Sequence, residues 1–333
     1  DFGDDTYFVD NSGDVIQSTN GDEGTDRVFA SVSWTLSANL ENLTLTGSAF
    51  EGRGNSSANV ITGTAANNSL SGLDGADTLV GLAGDDILIG STADDVLDGG
   101  EGIDTASYIH AGPGIVADLA NAAANAGEAL GDTYISIENL EGCDFADTLR
   151  GNDLVNRLSG GLGGDQLEGR GGDDLLEGGA DNDSLNGGAG ADNQDGGEGS
   201  DVYLFNAPFE IVAGEVIADT GATGDDRIKL GPGFANFDFT AATISGIDVF
   251  EFFNGLTATF NASQITLATA VSATLFELLG GRAVFAWSAG AMAIMPLRTG
   301  LDAPRSPDDA LVVRATWTKK GIALACRSDA PNL

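Results

Sequence analysis

Basic residues are scarce: 14 Lys and Arg stand against 51 Asp and Glu, leaving a net charge of −37. A surface of that sign repels nucleic-acid phosphates and anionic lipid and draws cations, so no nucleic acid is expected among the partners. Cysteine is confined to Cys143 and Cys326, too few and too separated in sequence for a disulfide framework or a cysteine-rich zinc site. Histidine occurs once, at His110, which excludes a two-histidine metal site and leaves a serine–histidine machine one candidate base. The longest uncharged apolar stretch, Ala283 to Leu297, contains Pro296 and falls short of the roughly 18 residues a membrane span needs. No transmembrane segment is expected. The chain opens at Asp1 without Met, a basic stretch or an apolar segment, so no secretory signal peptide is visible.

Glycine, by contrast, supplies 49 of the 333 residues, and its placement is periodic. From Gly142 a nine-residue frame holds for seven units, opening at Gly142, Gly151, Gly160, Gly169, Gly178, Gly187 and Gly196. Chance would produce that register with a probability on the order of one in a million, which excludes a flexible glycine-rich linker. The sixth places carry Asp147, Asn156, Asp165, Asp174, Asp183, Asp192 and Asp201. The eighth carry Leu149, Leu158, Leu167, Leu176, Leu185, Gln194 and Tyr203. An earlier stretch repeats the arrangement from Gly54, Gly63, Gly72, Gly81, Gly90 and Gly99, with Asn59, Asn68, Asp77, Asp86, Asp95 and Asp104 sixth.

Six turn-forming residues followed by three with a central aliphatic read as a tight turn and a very short strand. One unit buries nothing. If two units make a coil of 18 residues, the aliphatics of both sides point inward and stack on those of the next coil, at about the 4.8 Å spacing of paired strands. The expected class is all-β: a parallel β-roll, a β-solenoid with two nonapeptides per coil. The same geometry puts sixth-place carboxylates of alternate units above one another. Their repulsion would be about 1 kcal/mol per near pair even in water, so a cation must sit between them. Carboxylates and turn carbonyls are hard oxygen ligands that suit calcium, and glycine lets the turn aim its carbonyls inward.

These units resemble the hemolysin-type calcium-binding nonapeptide, G-G-x-G-x-D-x-(aliphatic)-x, of the repeats-in-toxin (RTX) family. Gly187 to Asp192 and Gly196 to Asp201 fit every fixed turn position, whereas Gly151 to Asn156 lacks the second and fourth Gly and the Asp. The resemblance implies calcium held between turns two units apart by the sixth-place Asp and backbone carbonyls. Carried over to this sequence, it implies the pairs Asp77/Asp95, Asp86/Asp104, Asp147/Asp165, Asp165/Asp183, Asp183/Asp201 and Asp174/Asp192. It also implies several structural Ca²⁺ ions and a secreted, extracellular protein with type I secretion machinery as a candidate partner, and the charge of −37 adds the expectation of a roll largely unfolded without calcium that forms when calcium binds. No catalytic residue and no cofactor other than calcium are expected.

The division expected along the chain is the end of a preceding repeat block with connecting strands (1–47), a first calcium-binding β-roll (48–107), a spacer (108–141), a second roll (142–204), a β-rich cap (205–267) and an unassigned tail (268–333). Gly3, Asp5 and Tyr7 occupy fourth, sixth and eighth places, which reads as a repeat cut off at residue 1 of a larger protein. The phrases Leu40-Glu41-Asn42-Leu43, Ile137-Glu138-Asn139-Leu140 and Ile247-Asp248-Val249-Phe250 share an apolar–acidic–x–apolar core and read as capping or connecting strands. Residues 282–295 resemble the nucleophile turn of peptidase E-like serine hydrolases, with a strand, Ser288, and small residues opening a helix. Only 45 residues follow Ser288, none of them His, and a structural segment is the expectation there. Three roles remain open: a calcium-binding structural module, the carrier portion of a larger secreted enzyme or toxin, and an adhesin segment contacting cell surfaces or polysaccharide.

Overall fold

A computed structural model describes residues 3–16, 24–231, 236–251, 257–261, 283–288, 291–296, 311–318 and 321–328. The fold is all-β, with parallel sheets forming a β-solenoid of about 11 turns. Among the described residues the helical segments are three 3-10 turns, Ala122–Ala124, Gly127–Ala129 and Pro208–Glu210. None is long and apolar enough to cross a membrane.

A typical strand, Thr78–Ala83, begins at the seventh place of one unit and runs into the third place of the next, with Leu79 and Gly81 buried. The period-2 alternation of a strand makes the eighth-place aliphatic and the first-place glycine share the inner face. Partners are 18 residues apart: Leu79 lies opposite Ile61 and Leu97, Leu176 opposite Leu158, and Leu167 opposite Leu185. Each coil thus adds two aliphatic side chains to one continuous core, and every one of these leucines is at most 2% exposed. Full burial of such a side chain stabilises by about 1.5–3 kcal/mol. The core is one side chain deep on each face.

One face of the solenoid is a single eleven-stranded sheet running from Trp34–Thr35 to Thr243–Ser245. The other consists of two seven-stranded sheets, one from Thr6–Val9 to Thr133–Ile135 and one from Val116–Asp118 to Val249–Glu251. The gap between them falls in residues 108–138. Here Val116–Asp118 pairs forward onto Thr148–Arg150, and Thr133–Ile135 pairs back onto Val96–Glu101. The eleven-stranded face passes this point unbroken, through Ile87–Thr92, Thr105–Ser107, Asn139–Glu141 and Arg157–Leu162. The insertion is held by the Tyr108 hydroxyl, 2.7 Å from Asp132 Oδ2 and 2.6 Å from the Tyr134 hydroxyl. It is also held by Arg170, which donates two 2.7 Å bonds to the Asp118 carboxylate.

Stacking continues beyond residue 204: Val202–Phe205 pairs with Arg227–Leu230, and Asn193–Glu198 pairs with Val216–Ala218. In the tail, Ala283–Ser288 and Ala291–Pro296 are antiparallel, with Ser288 opposite Ala291, and Leu311–Thr318 pairs with Gly321–Ser328. Ala291–Pro296, the next described segment after Ser288, therefore forms a strand, not the helix that a nucleophile turn requires. Ala291–Pro296 is a wholly apolar run too short for its periodicity to separate strand from helix, and hairpin pairing to the preceding strand decides between the two.

Candidate metal centre

All ten aspartates at sixth places are inside the molecule, each at most 2% exposed. The turn geometry puts them there, one residue before the strand whose eighth-place side chain enters the core. Their stacking follows a single rule: the sixth-place N–H donates to the sixth-place carboxylate 18 residues later. Asp77 donates to Asp95 Oδ1 at 2.7 Å, Asp86 to Asp104 at 2.8 Å and Asp147 to Asp165 at 2.7 Å. Asp165 donates to Asp183 and Asp183 to Asp201, both at 2.8 Å, and Asp174 to Asp192 at 2.9 Å. The six pairs read from the sequence are thus neighbours on adjacent coils.

The second carboxylate oxygen divides the turns into two kinds. In the units opening at Gly54, Gly63, Gly142 and Gly151, the second-place N–H closes the turn on the sixth-place side chain of its own unit. Asn55 donates to Asn59 Oδ1 at 2.7 Å, Thr64 to Asn68 Oδ1 at 2.6 Å, Cys143 to Asp147 Oδ2 at 2.7 Å and Asn152 to Asn156 Oδ1 at 2.7 Å. In the other nine units, Oδ2 of Asp77, Asp86, Asp95, Asp104, Asp165, Asp174, Asp183, Asp192 and Asp201 is buried without a hydrogen-bond partner.

Backbone conformation accounts for the difference. In each of these nine open turns the second and fourth residues have positive φ, as in Gly179 at 116° and Asp181 at 76° of one unit, or Gly188 at 99° and Gly190 at 144° of the next. No second- or fourth-place residue of the four closed turns does. Leu73, Leu82, Ser91 and Arg170 hold the second place at φ between 71° and 81° without being glycine. That conformation costs an L-residue roughly 1–2 kcal/mol, so the stacked coils must impose it. A buried carboxylate oxygen lacking a donor is itself costly. Nine in register describe a site that expects a partner.

The donor set fits calcium. A Cβ placed on Gly178 would overlap Asp183 Oδ2 and come 2.6 Å from the carbonyl oxygen of Gly196 one coil on. Carboxylate and carbonyl oxygens thus share a space that only a first-place glycine leaves open, and oxygen-only cradles of this kind suit a hard, flexible-coordination cation. Cys143 contributes nothing soft to it: its Sγ is 3.3 Å from Asp147 Oδ1, and burial pushes the thiol up to about 11.

Burial, opposed by the donated backbone N–H and assisted by neighbouring carboxylates, raises most of the open-turn acids. Asp86 and Asp192 are pushed up to about 6, Asp77, Asp95, Asp165 and Asp174 to about 7, and Asp183 to about 8. Asp104 and Asp201 are raised for the same first reason. At neutral pH these groups therefore lie between their protonated and ionised forms when no cation is bound.

The family model of the RTX calcium-binding nonapeptide repeat matches residues 53–88, 71–106, 142–176, 150–184 and 168–203. These segments are RTX calcium-binding repeats. No curated protein matches the chain. The RTX matches stop at residue 203, yet the carboxylate ladder is longer at both ends and through the spacer. Asp26 N–H donates to Glu41 Oε2 at 2.8 Å, Asp95 N–H to Asp132 Oδ1 at 2.9 Å, and Asp104 N–H to Glu138 Oε2 at 2.9 Å. Further on, Asp192 N–H donates to Glu215 Oε2 at 3.2 Å, Asp201 N–H to Asp226 Oδ1 at 2.9 Å and Asp226 N–H to Asp248 Oδ2 at 3.2 Å. Glu41, Glu138 and Asp248 are the acids of the apolar–acidic–x–apolar phrases. The signal that finds the others is the same: an acid two residues before a core side chain, as in Asp26/Val28, Asp132/Tyr134, Glu215/Ile217 and Asp226/Ile228.

Proposed function

We propose that the open turns are the calcium sites, one ion lying between each two open turns stacked 18 residues apart. Asp77/Asp95, Asp86/Asp104, Asp165/Asp183, Asp183/Asp201 and Asp174/Asp192 are such pairs. Asp147/Asp165 joins a closed turn to an open one and is the weakest of the six. The supporting observation is the set of nine buried, donor-less carboxylate oxygens in turns whose second and fourth residues both have positive φ. When bound, calcium supplies the positive charge that this buried acidic ladder lacks.

The role is structural and non-catalytic: the roll is largely unfolded without calcium and forms on binding it outside the cell, after type I export. Extracellular modules work at calcium affinities near 10⁻⁴ to 10⁻³ M, at which cytosolic calcium would leave the sites empty. Such a module also suits service as the carrier of a larger secreted enzyme, toxin or adhesin. Far-ultraviolet circular dichroism of the full chain, titrated from chelator to millimolar calcium, is expected to show strand signal appearing cooperatively. Equal strand content at both extremes would sink this reading.

A further inference from the structure

Beyond the matched repeats, the chain brings a third carboxylate to the ladder. Residues 221–226 return to the repeat geometry with Gly221 first, Gly224 fourth at φ 112° and Asp226 sixth, 25 residues after Asp201 instead of 18. The extra residues carry Asp219 alongside, and one oxygen each from Asp201, Asp219 and Asp226 lies within 4.8 Å of the other two. Two oxygens bound to one calcium at 2.3–2.6 Å sit no more than about 5 Å apart, while the roughly 2.1 Å bonds of magnesium allow about 4 Å.

The existing bonds leave oxygens over. Asp201 is 0% exposed; its Oδ1 accepts the Asp183 N–H, and its Oδ2 has no partner. Asp226 Oδ1 accepts the Asp201 N–H. Asp219 is set in place by the Gly221 N–H at 2.9 Å on Oδ1, and its Oδ2 lies 3.3 Å from the Tyr203 hydroxyl, whose one proton goes to the closer carbonyl of the preceding residue, Ala218. Tyr203 is fixed in turn, donating to the Ala218 carbonyl at 2.6 Å and accepting the Gly196 N–H at 2.7 Å. Replacement of the eighth-place leucine by tyrosine in this one unit therefore builds a bracket for Asp219.

We propose that Asp201, Asp219 and Asp226 form a three-carboxylate calcium site at the C-terminal edge of the nonapeptide array, where Asp201 of the last matched repeat meets Asp219, a ligand that no repeat supplies. It rests on the reading that the ladder takes calcium, but its donor set does not depend on two open turns. The decisive comparison is between the full chain and its D219N and D219S variants. Native mass spectrometry in calcium counts the ions, and terbium luminescence excited through tyrosine reports an ion beside Tyr203. Each variant should retain the calcium-dependent circular dichroism transition, bind one ion fewer than wild type, and lose at least half of the tyrosine-sensitised emission. Wild-type protein that binds calcium, with both variants matching it in ion count and emission, overturns the three-carboxylate site and leaves the repeat sites standing. Wild-type protein that binds no calcium overturns both. Should the variants fail to fold, absence of tyrosine-sensitised terbium emission from the wild type still overturns the proposal.

Discussion

Protons and calcium compete for the same buried oxygens, and the sign of that competition follows from the raised carboxyls. Asp77, Asp95, Asp165, Asp174 and Asp183 sit near 7 to 8 in the fold against an ordinary 3.8. A folded-state value above the unfolded one means that these groups' contribution to the stability of the metal-free roll is fully present below about pH 4 and is lost as pH rises through 6 to 8. Metal-free protein should therefore show more strand by circular dichroism at pH 5 than at pH 8. Calcium requires the deprotonated form, so binding should release protons, and affinity should rise at least tenfold from pH 6 to pH 8 in calorimetric titrations. Glycine matters most where positive φ coincides with a close approach. At Gly179, φ is 116° and an added Cβ would overlap the Gly161 carbonyl oxygen. Gly179→Ala is expected to cost about 1–3 kcal/mol, read as a lower urea midpoint in millimolar calcium.

In most units one aliphatic at the eighth place fills the core, so a single truncation is felt by both neighbouring coils. Leu176, completely buried between Leu158 and Gln194 of the adjacent strands, should cost about 2–5 kcal/mol on replacement by Ala, measured as the same urea midpoint. The period that places Leu176 was legible in the sequence because turn glycine, acid and aliphatic recur in fixed order. The rungs at Glu215 and Asp226 were not, since unequal loops break the nine-residue count while preserving the acid-x-apolar step into the strand. Nor does residue type alone reveal which turns open. Leu73 and Arg170 adopt positive φ against their intrinsic preference, because packing between coils overrides it, whereas Cys143 does not. Asp147 holds the right place in the repeat, yet the Cys143 N–H already occupies its Oδ2.

At the scale of the molecule, the insertion at 108–138 meets the roll through the paired charges of Asp118 and Arg170, Asp118 being 3% exposed. Burial alone would raise Asp118, but the Arg170 hydrogen bonds and charge leave it lowered, so this link contributes above the ordinary carboxylate range and weakens in acid. Arg170→Ala leaves a buried, unpaired carboxylate and should lower stability by about 3 kcal/mol at neutral pH, with the loss shrinking toward pH 3 in urea titrations. The ladder that runs past this insertion also has a sense. Each of the ten sixth-place aspartates offers its N–H toward the C-terminal neighbour and its carboxylate toward the N-terminal one, whereas the acids on which the runs end, Asp132, Glu138, Glu215 and Asp248, turn their own N–H groups to the carbonyls of Ala129, Asp104, Val212 and Asp226. Each run of the ladder therefore ends on an acceptor whose own donor is already spent, and a further coil stacked beyond it meets no N–H with which to continue the ladder.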